Sequence, residues 1–320
     1  MGQGGPKYKV VIWGLGSIGT RLARLLQEDF RHELYAYREM NSKTNDLGLP
    51  EIKTLEALKR LSPDVALITN PTAGHLAAAT QAARMGMHLF IEKPLSHSLA
   101  EVEPLLALVK KQQLITYVGC QLRFDPLIRK LKDGIERKDI FYARICCSSY
   151  LPDWRPDRDY REVYSSRRDL GGGVLLDLIH ELDYAHWLLG DIVHIGGEAG
   201  RISPLMIDTE DYADLLVHHA GGIRSHIHLD YFGRRTQRKI ELFGEEMTLE
   251  ADLISRALTR SNGVSRTSEV VACADRDIPL RNQLRYFFDC LDRQTDPLNN
   301  IFEHLKVLEP LLQFKRMQGL

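Results

Sequence analysis

Residues Lys9 to Leu26 read KVVIWGLGSIGTRLARLL, and this stretch decides the fold. Val10, Val11, Ile12 and Trp13 form a short apolar run closed by glycine, the pattern of a strand buried on both faces. Gly14, Gly16 and Gly19 follow as G-x-G-x-x-G. Leu22, Leu25 and Leu26 then recur at helical spacing, with Arg21 and Arg24 between them. The stretch predicts strand, glycine turn and helix. Gly14 permits the tight turn, Gly16 lets the backbone approach a pyrophosphate, and Gly19 lets the helix close on the strand. The N–H groups of Ser17, Ile18 and Gly19, with the helix dipole, suit a phosphate pair. The expectation is a dinucleotide-binding half.

At 320 residues the chain is long enough for about two domains. Its hydrophobic content of 44% and charged content of 27% are those of a globular protein. A net charge of −1 gives no global pull toward nucleic acid or an anionic membrane. The opening MGQGGPKYK lacks the apolar core of a signal peptide, and Pro6 stands where a myristoylation site needs Ser or Thr. No apolar run reaches the roughly 20 residues of a membrane span. Cys120, Cys146, Cys147, Cys273 and Cys290 are odd in number and lack C-x-x-C spacing, which reads as reduced thiols in a cytoplasm.

Outward from the fingerprint, Glu33–Tyr37 reads as the second strand and ends at Arg38. NAD-binding chains usually place a carboxylate about 20 residues on, where it bonds the ribose 2′-hydroxyl. Here that place is held by Arg38, with Ser42 and Lys43 just beyond, and a guanidinium can fork a 2′-phosphate. The expected cofactor is therefore NADP, with NAD possible; the plainer reading of Arg38 is a solvated strand-end arginine. Leu55–Leu61 reads as a short helix and DVALIT (64–69) as the next buried strand. Thr69 and Asn70 fall at its carboxyl end, where open α/β sheets bind ligands. His75 falls in the first turn of the following helix, as a cofactor contact or a local cap. HLFI (88–91) is another strand, ending in Glu92-Lys93-Pro94. Lys93 at that edge would project toward the nicotinamide, on an extended backbone imposed by Pro94. LITYV (114–118) closes a doubly wound parallel sheet.

The second half reads differently. A helix from Pro126 to Ile135 leads to a strand from Ile140 to Tyr150. Leu151–Leu170 then carries Trp154, Arg155, Arg158, Tyr160, Arg161, Tyr164, Arg167 and Arg168 among as many acids as a salt-bridged surface loop would. Aromatic faces and arginine forks also suit a polyhydroxylated or anionic ligand, and Trp154, Arg155 and Tyr164 are the candidate substrate contacts. Gly171-Gly172-Gly173 precedes a helix from Val174, on which Asp177, His180, Glu181 and Tyr184 would share one face. Histidine is the natural base for a hydroxyl near neutral pH. Asp177 could orient that imidazole or bond a neighbouring hydroxyl. Strands over 192–202, 211–219, 223–232 and 236–243 follow, with Ala220-Gly221-Gly222 as a hairpin turn. His226 and His228 alternate with Ile227 and Leu229, so one face is less buried; that face is expected to meet another subunit, and a metal there has no carboxylate or cysteine spacing to support it. Two structural helices, Leu280–Leu291 and Phe302–Met317, end the chain.

GLGSIG at 14–19, EKP at 92–94, VGCQLRF at 118–124 and GGGVLLDLIHELD at 171–183 together resemble the Gfo/Idh/MocA family, the relatives of glucose–fructose oxidoreductase and inositol dehydrogenase. The resemblance implies a Rossmann domain, placed at 1–122, and an α+β domain with an open, mostly antiparallel sheet, placed at 123–320. It implies Lys93 on both the nicotinamide ribose and the substrate hydroxyl, and Glu92 and Gln121 beside the cofactor with Thr69, Asn70 and His75. Arg123 falls where the family lines its reaction centre. Two departures stand out: Thr69-Asn70-Pro71 replaces the family's Pro-Asn or Pro-Thr, and Asp177 and His180 are three apart where the commonest form has four.

The expectation is thus an NAD(P)-dependent oxidoreductase moving a hydride between nicotinamide and a secondary alcohol or ketone of a sugar, cyclitol or nucleotide sugar. Lys93 and His180 are the expected catalytic pair, with Asp177 beside them and no metal. A homo-oligomer through the second sheet is expected. The alternatives are a regulatory protein that senses NADP(H) without chemistry, and a relative that uses transient oxidation to cleave a glycoside.

Overall fold

The computed structural model describes residues 7–38, 45–273 and 275–320. Pro6, Ser42 and Lys43 lie outside the described residues. Two compact units are present: Met1–Gly119 with Leu280–Glu303, and Cys120–Pro279 with His304–Leu320.

The first unit holds β1 (Lys9–Trp13), α1 (Ser17–Asp29), β2 (Glu33–Tyr37), β3 (Glu51–Ile52), α2 (Leu55–Leu61), β4 (Val65–Ile68), α3 (His75–Arg84), β5 (His88–Glu92), α4 (Val102–Gln112) and β6 (Thr116–Gly119). The six strands pair in the order β3-β2-β1-β4-β5-β6, all parallel. Helices on both faces explain why β1, β4 and β5 read as continuous apolar runs. Each such strand empties at its carboxyl end into a loop of interest: Gly14 after β1, Asn70 after β4, Lys93 after β5. The boundary placed at residue 122 differs from the structure, which passes to the second unit at Cys120 and returns 280–303 to the first. The reason is packing. Phe287 meets Phe90 and Tyr117 with ring centroids 5.6 and 6.2 Å apart, Phe288 stacks on Tyr8, and Asn299 Nδ2 donates to Val118 O at 2.7 Å.

The second unit holds α5 (Pro126–Asp133), β7 (Ile140–Ser148), α6 (Val174–Asp177), α7 (His180–Leu189), β8 (Ile192–Gly200), β9 (Tyr212–His219), β10 (Arg224–Asp230), β11 (Gln237–Gly244), β12 (Thr248–Asp252), β13 (Ala257–Ser261) and β14 (Arg266–Val270). The sheet order is β14-β13-β12-β11-β7-β10-β9-β8, antiparallel except for the β7–β10 pair. Of the two last helices, α8 (Ile278–Arg293) lies almost wholly in the first unit, and α9 (Ile301–Met317) runs mostly in the second. The inner sheet face is covered by α7, whose Leu182, Ala185, Leu188 and Leu189 are fully buried. His226 and His228 do share the open face, where both bond the Asp214 carboxylate at 3.1 and 2.8 Å. No helix among the described residues is long and apolar enough to cross a membrane.

Two expectations are corrected. The segment 151–170, read as a loop, holds short 3₁₀ turns at Leu151–Trp154, Tyr160–Glu162, Tyr164–Ser166 and Arg168–Leu170. The helix from Val174 is broken, because Leu178 leaves helical geometry at φ −96°, ψ 28°. Asp177 therefore ends one short helix and His180 begins the next.

Burial also sets a pH dependence. His219, bonded to Gly190 O and Ser225 Oγ, and the fully buried His304 are each pushed down to about 4. As pH falls from 6.5 toward 4, the unfolded chain takes protons that these folded imidazoles refuse. Stability should fall by up to about 1.4 kcal/mol per pH unit for each. Urea unfolding at several pH values is expected to show this slope, and His304→Gln should make it shallower; equal slopes would contradict the assignment.

Candidate active site

The fingerprint closes as a cradle. Gly14 sits at φ +103°, and a Cβ there would lie 2.9 Å from Asn70 N. A Cβ on Gly19 would strike the Gly14 carbonyl oxygen and come within 2.6 Å of Thr69 Oγ1. Thr69 is buried and its hydroxyl donates to Gly14 O at 2.6 Å, so it fastens the turn from beneath. Gly16 is different: a Cβ there would meet nothing within 4 Å, so it faces open space. The first helical bond of α1 is Thr20 N to Gly16 O at 2.9 Å. Helix geometry gives Ser17, Ile18 and Gly19 no intrahelical acceptor, and no acidic residue stands in that turn. At the next strand ends, Asn70 Oδ1 and Glu92 Oε1 are buried with no hydrogen-bond partner among the described residues. An open cradle of donors with two idle buried acceptors beside it fits a dinucleotide, which carries a pyrophosphate and several hydroxyl and amide donors.

Glu92 is fully buried, and burial raises its carboxyl to about 7, against the pull of Lys93. It accepts from the Lys93 N–H. Lys93 itself is half-buried, joined to Pro94 by a cis peptide bond. Arg38 Nη1 pairs with Glu51 Oε1 at 2.8 Å. Asn45 also donates to that carboxylate, so Arg38 is steadied at the end of β2. His75 turns inward, its nitrogens 2.7 Å from Pro94 O and 2.7 Å from Asn70 O.

In the second unit, His180 is buried at the start of α7. Asp177 holds three hydroxyls: Oδ1 accepts from Tyr164, and Oδ2 accepts from Ser165 at 2.6 Å and Tyr231 at 3.2 Å. Tyr164 is thus held through its phenol, and Trp154 packs edge-on against Tyr231 at 5.3 Å while its Nε1 donates to Ser149 Oγ. Ser165 O receives Gly173 N at 3.0 Å and Thr209 Oγ1 at 3.2 Å. The glycine triplet thereby ties the aromatic segment to the start of α6. Asp177→Ala would strand three hydroxyls, and a loss of about 3 kcal/mol in urea unfolding is expected. An unchanged midpoint would show that Asp177 is not this anchor. Ser165 and Tyr231 were missed in the sequence, since neither the serine nor a tyrosine 54 residues away carries a spacing signal.

Arg123, expected to line the substrate, is held in a buried ion pair. Its Nε and Nη2 both donate to Asp183 at 2.8 Å, and both side chains are buried. A buried fork of this kind ties the turn after Cys120 to α7 and costs about 3–5 kcal/mol when one partner is removed. Glu181, expected on the His180 face, is fully buried against Arg238 at 2.7 Å. Arg155 is half-buried, lining a small cleft with Leu151, Trp154, Tyr160, Val163 and Ser165. Gln121 opens the turn 121–124 in the second unit, whereas the rest of the expected cofactor set lies in the first.

Residues 8–120 match the family described as an oxidoreductase family with an NAD-binding Rossmann fold, and residues 128–250 match its Gfo/Idh/MocA C-terminal domain. The chain belongs to the Gfo/Idh/MocA family. This family member is 30% identical over 196 residues to the myo-inositol 2-dehydrogenase of Thermotoga maritima, a match covering 58% of this chain and 56% of that enzyme. It is 32% identical over 168 residues to the scyllo-inositol 2-dehydrogenase (NAD(+)) of Bacillus subtilis, covering 50% and 45%. The chain thus spans about half the length of these curated relatives. Among solved structures, the UDP-N-acetylglucosamine 3-dehydrogenase GnnA of Acidithiobacillus ferrooxidans superposes with a TM-score of 0.80 over 97% of each chain at 20% identity. At that identity the likeness is one of fold.

Proposed function

We propose that this Gfo/Idh/MocA member is an NADP-preferring dehydrogenase or reductase for a secondary alcohol or ketone on a sugar, cyclitol or nucleotide sugar. The observation that carries the reading is the Gly16 cradle with idle Asn70 and Glu92 oxygens at the adjoining strand ends. The names of the inositol dehydrogenases support the substrate class. Ser17, Ile18 and Gly19 would hold the pyrophosphate, with Asn70 and Glu92 bonding the ribose and amide groups. The bound nicotinamide supplies the hydride acceptor or donor.

The chain supplies the rest. The Lys93 ammonium holds the substrate hydroxyl and stabilises the negative charge that develops on its oxygen. In the oxidative direction His180 accepts the hydroxyl proton, and in reduction it returns one. Tyr164 and Trp154, held by the Asp177 and Tyr231 contacts, offer faces and edges to a polyhydroxylated ring, with Arg155 beside them. No step calls for a metal, nucleic acid or membrane. A cytoplasmic homo-oligomer meeting through the open face of the second sheet completes the reading.

Arg38 favours the 2′-phosphate of NADP, with Glu51 steadying one of its nitrogens. Arg38→Asp is expected to move the ratio of NADPH to NADH dissociation constants toward NADH by about tenfold or more, read by fluorescence titration. An unaltered ratio would remove the 2′-phosphate contact. Steady-state assay of NADP⁺ and NAD⁺ against inositols, aldoses and UDP-sugars tests the whole reading.

A further inference from the structure

His75 grips two strand ends of the first unit at once. It opens α3, is 2% exposed, and meets the carbonyl of Pro94 through Nδ1 and that of Asn70 through Nε2. The two ends differ in how they are otherwise fixed. The loop after β4 is already pinned by Thr69 N to Trp13 O at 3.1 Å and by Gly74 N to Pro71 O at 2.8 Å. The chain after β5 has left the ladder, whose last pair with β6 is Glu92 and Gly119. The Lys93 N–H is taken by Glu92, and Pro94 has no N–H to give. The Pro94 carbonyl, met by His75 at 2.7 Å, is a group through which the far side of Lys93 is fixed.

Two carbonyls ask for two N–H groups, and a neutral imidazole has one. Burial, with Lys93 and His97 nearby, holds the His75 pKa below its ordinary value, so one carbonyl receives the proton at neutral pH. We infer that His75 is the positioning residue of Lys93, its Nδ1–H donating to Pro94 O and setting the backbone from which the ammonium projects. This rests on Lys93 acting in turnover as proposed above.

Asparagine and glutamine separate the two arms, because the Asn amide nitrogen falls near the place of Nδ1 and the Gln amide nitrogen near that of Nε2. His75→Asn is expected to keep kcat within about threefold, while His75→Gln and His75→Leu lose about tenfold, with the NADPH dissociation constant little changed in all three. Turnover is read per folded enzyme against the panel of inositols, aldoses and UDP-sugars. ¹⁵N NMR of the unliganded protein should show the His75 proton on Nδ1. Equal losses in the Asn and Gln variants, a Gln variant that outperforms Asn, or a proton on Nε2 would each overturn the inference. Lys93→Ala keeps the two claims apart. If that variant turns over normally, the functional reading fails; if it is dead while all three His75 variants run at the native rate, only the positioning role fails.

Discussion

Lys93→Ala is expected to lower kcat about a thousandfold and leave coenzyme binding nearly intact. The asymmetry follows from where Lys93 stands. The cradle is built from Gly14, Gly16, Gly19 and Thr69, and the idle acceptors belong to Asn70 and Glu92, so most of the coenzyme affinity does not depend on the ammonium. The charge matters when the substrate oxygen gains negative character, an interaction stronger in the transition state than in the ground state. Lys93→Arg keeps the charge but replaces a compact ammonium with a planar fork, and should recover little. The environment also predicts coupling. The Glu92 carboxyl is raised to about 7 by burial, and Lys93 opposes that rise. Removing the ammonium takes away that opposition, so Glu92 should protonate at higher pH in the Ala variant, as ¹³C NMR of the carboxyl would show. A Lys93→Ala enzyme with native kcat would end its assigned role.

His180→Asn should cost about 10²- to 10⁴-fold in kcat and remove the acidic limb of the oxidative pH–rate profile. In the oxidative direction the imidazole must be neutral to accept a proton, so the native rate falls as pH drops through its pKa. Asn has no titrating nitrogen, and the residual rate should be flat over that range. Burial at the start of α7 makes the asparagine variant preferable to alanine, since it leaves less of a cavity. A variant that keeps both the rate and the acidic limb would transfer the base to another residue.

The first unit was legible because its signals are local. Apolar runs buried on both faces, glycines at fixed offsets and the Glu92-Lys93-Pro94 end are all readable within a few residues. What was not legible depends on residues distant in sequence. Nothing in the Leu280–Leu291 helix tells which sheet its Phe287 and Phe288 will cover. Strand β14 has no apolar face, its five residues all being exposed, so no alternation marked it. The ion pair of Arg123 is not readable because its partner, Asp183, lies 60 residues on. Asp177 reads as a companion for His180, and the hydroxyls it also holds, from the aromatic segment and from Tyr231, carry no spacing signal. In each case the sequence shows a polar group but not the element that folds back to satisfy it. The break at Leu178 follows from the same limit: helical spacing ran on through 174–189, and the backbone did not.

The central claim is hydride transfer between a bound nicotinamide and a hydroxyl-bearing carbon. The most direct measurement mixes the protein with NADPH deuterated at C4 and a panel of inososes, keto-sugars and UDP-keto-sugars. The nicotinamide absorbance is followed, and the products are taken to mass spectrometry. Loss of the absorbance with one substrate class is expected, with a single deuterium on the carbinol carbon of its product. NADPH held tightly, with no oxidation and no deuterium in any product, would mark a dinucleotide sensor and contradict the account.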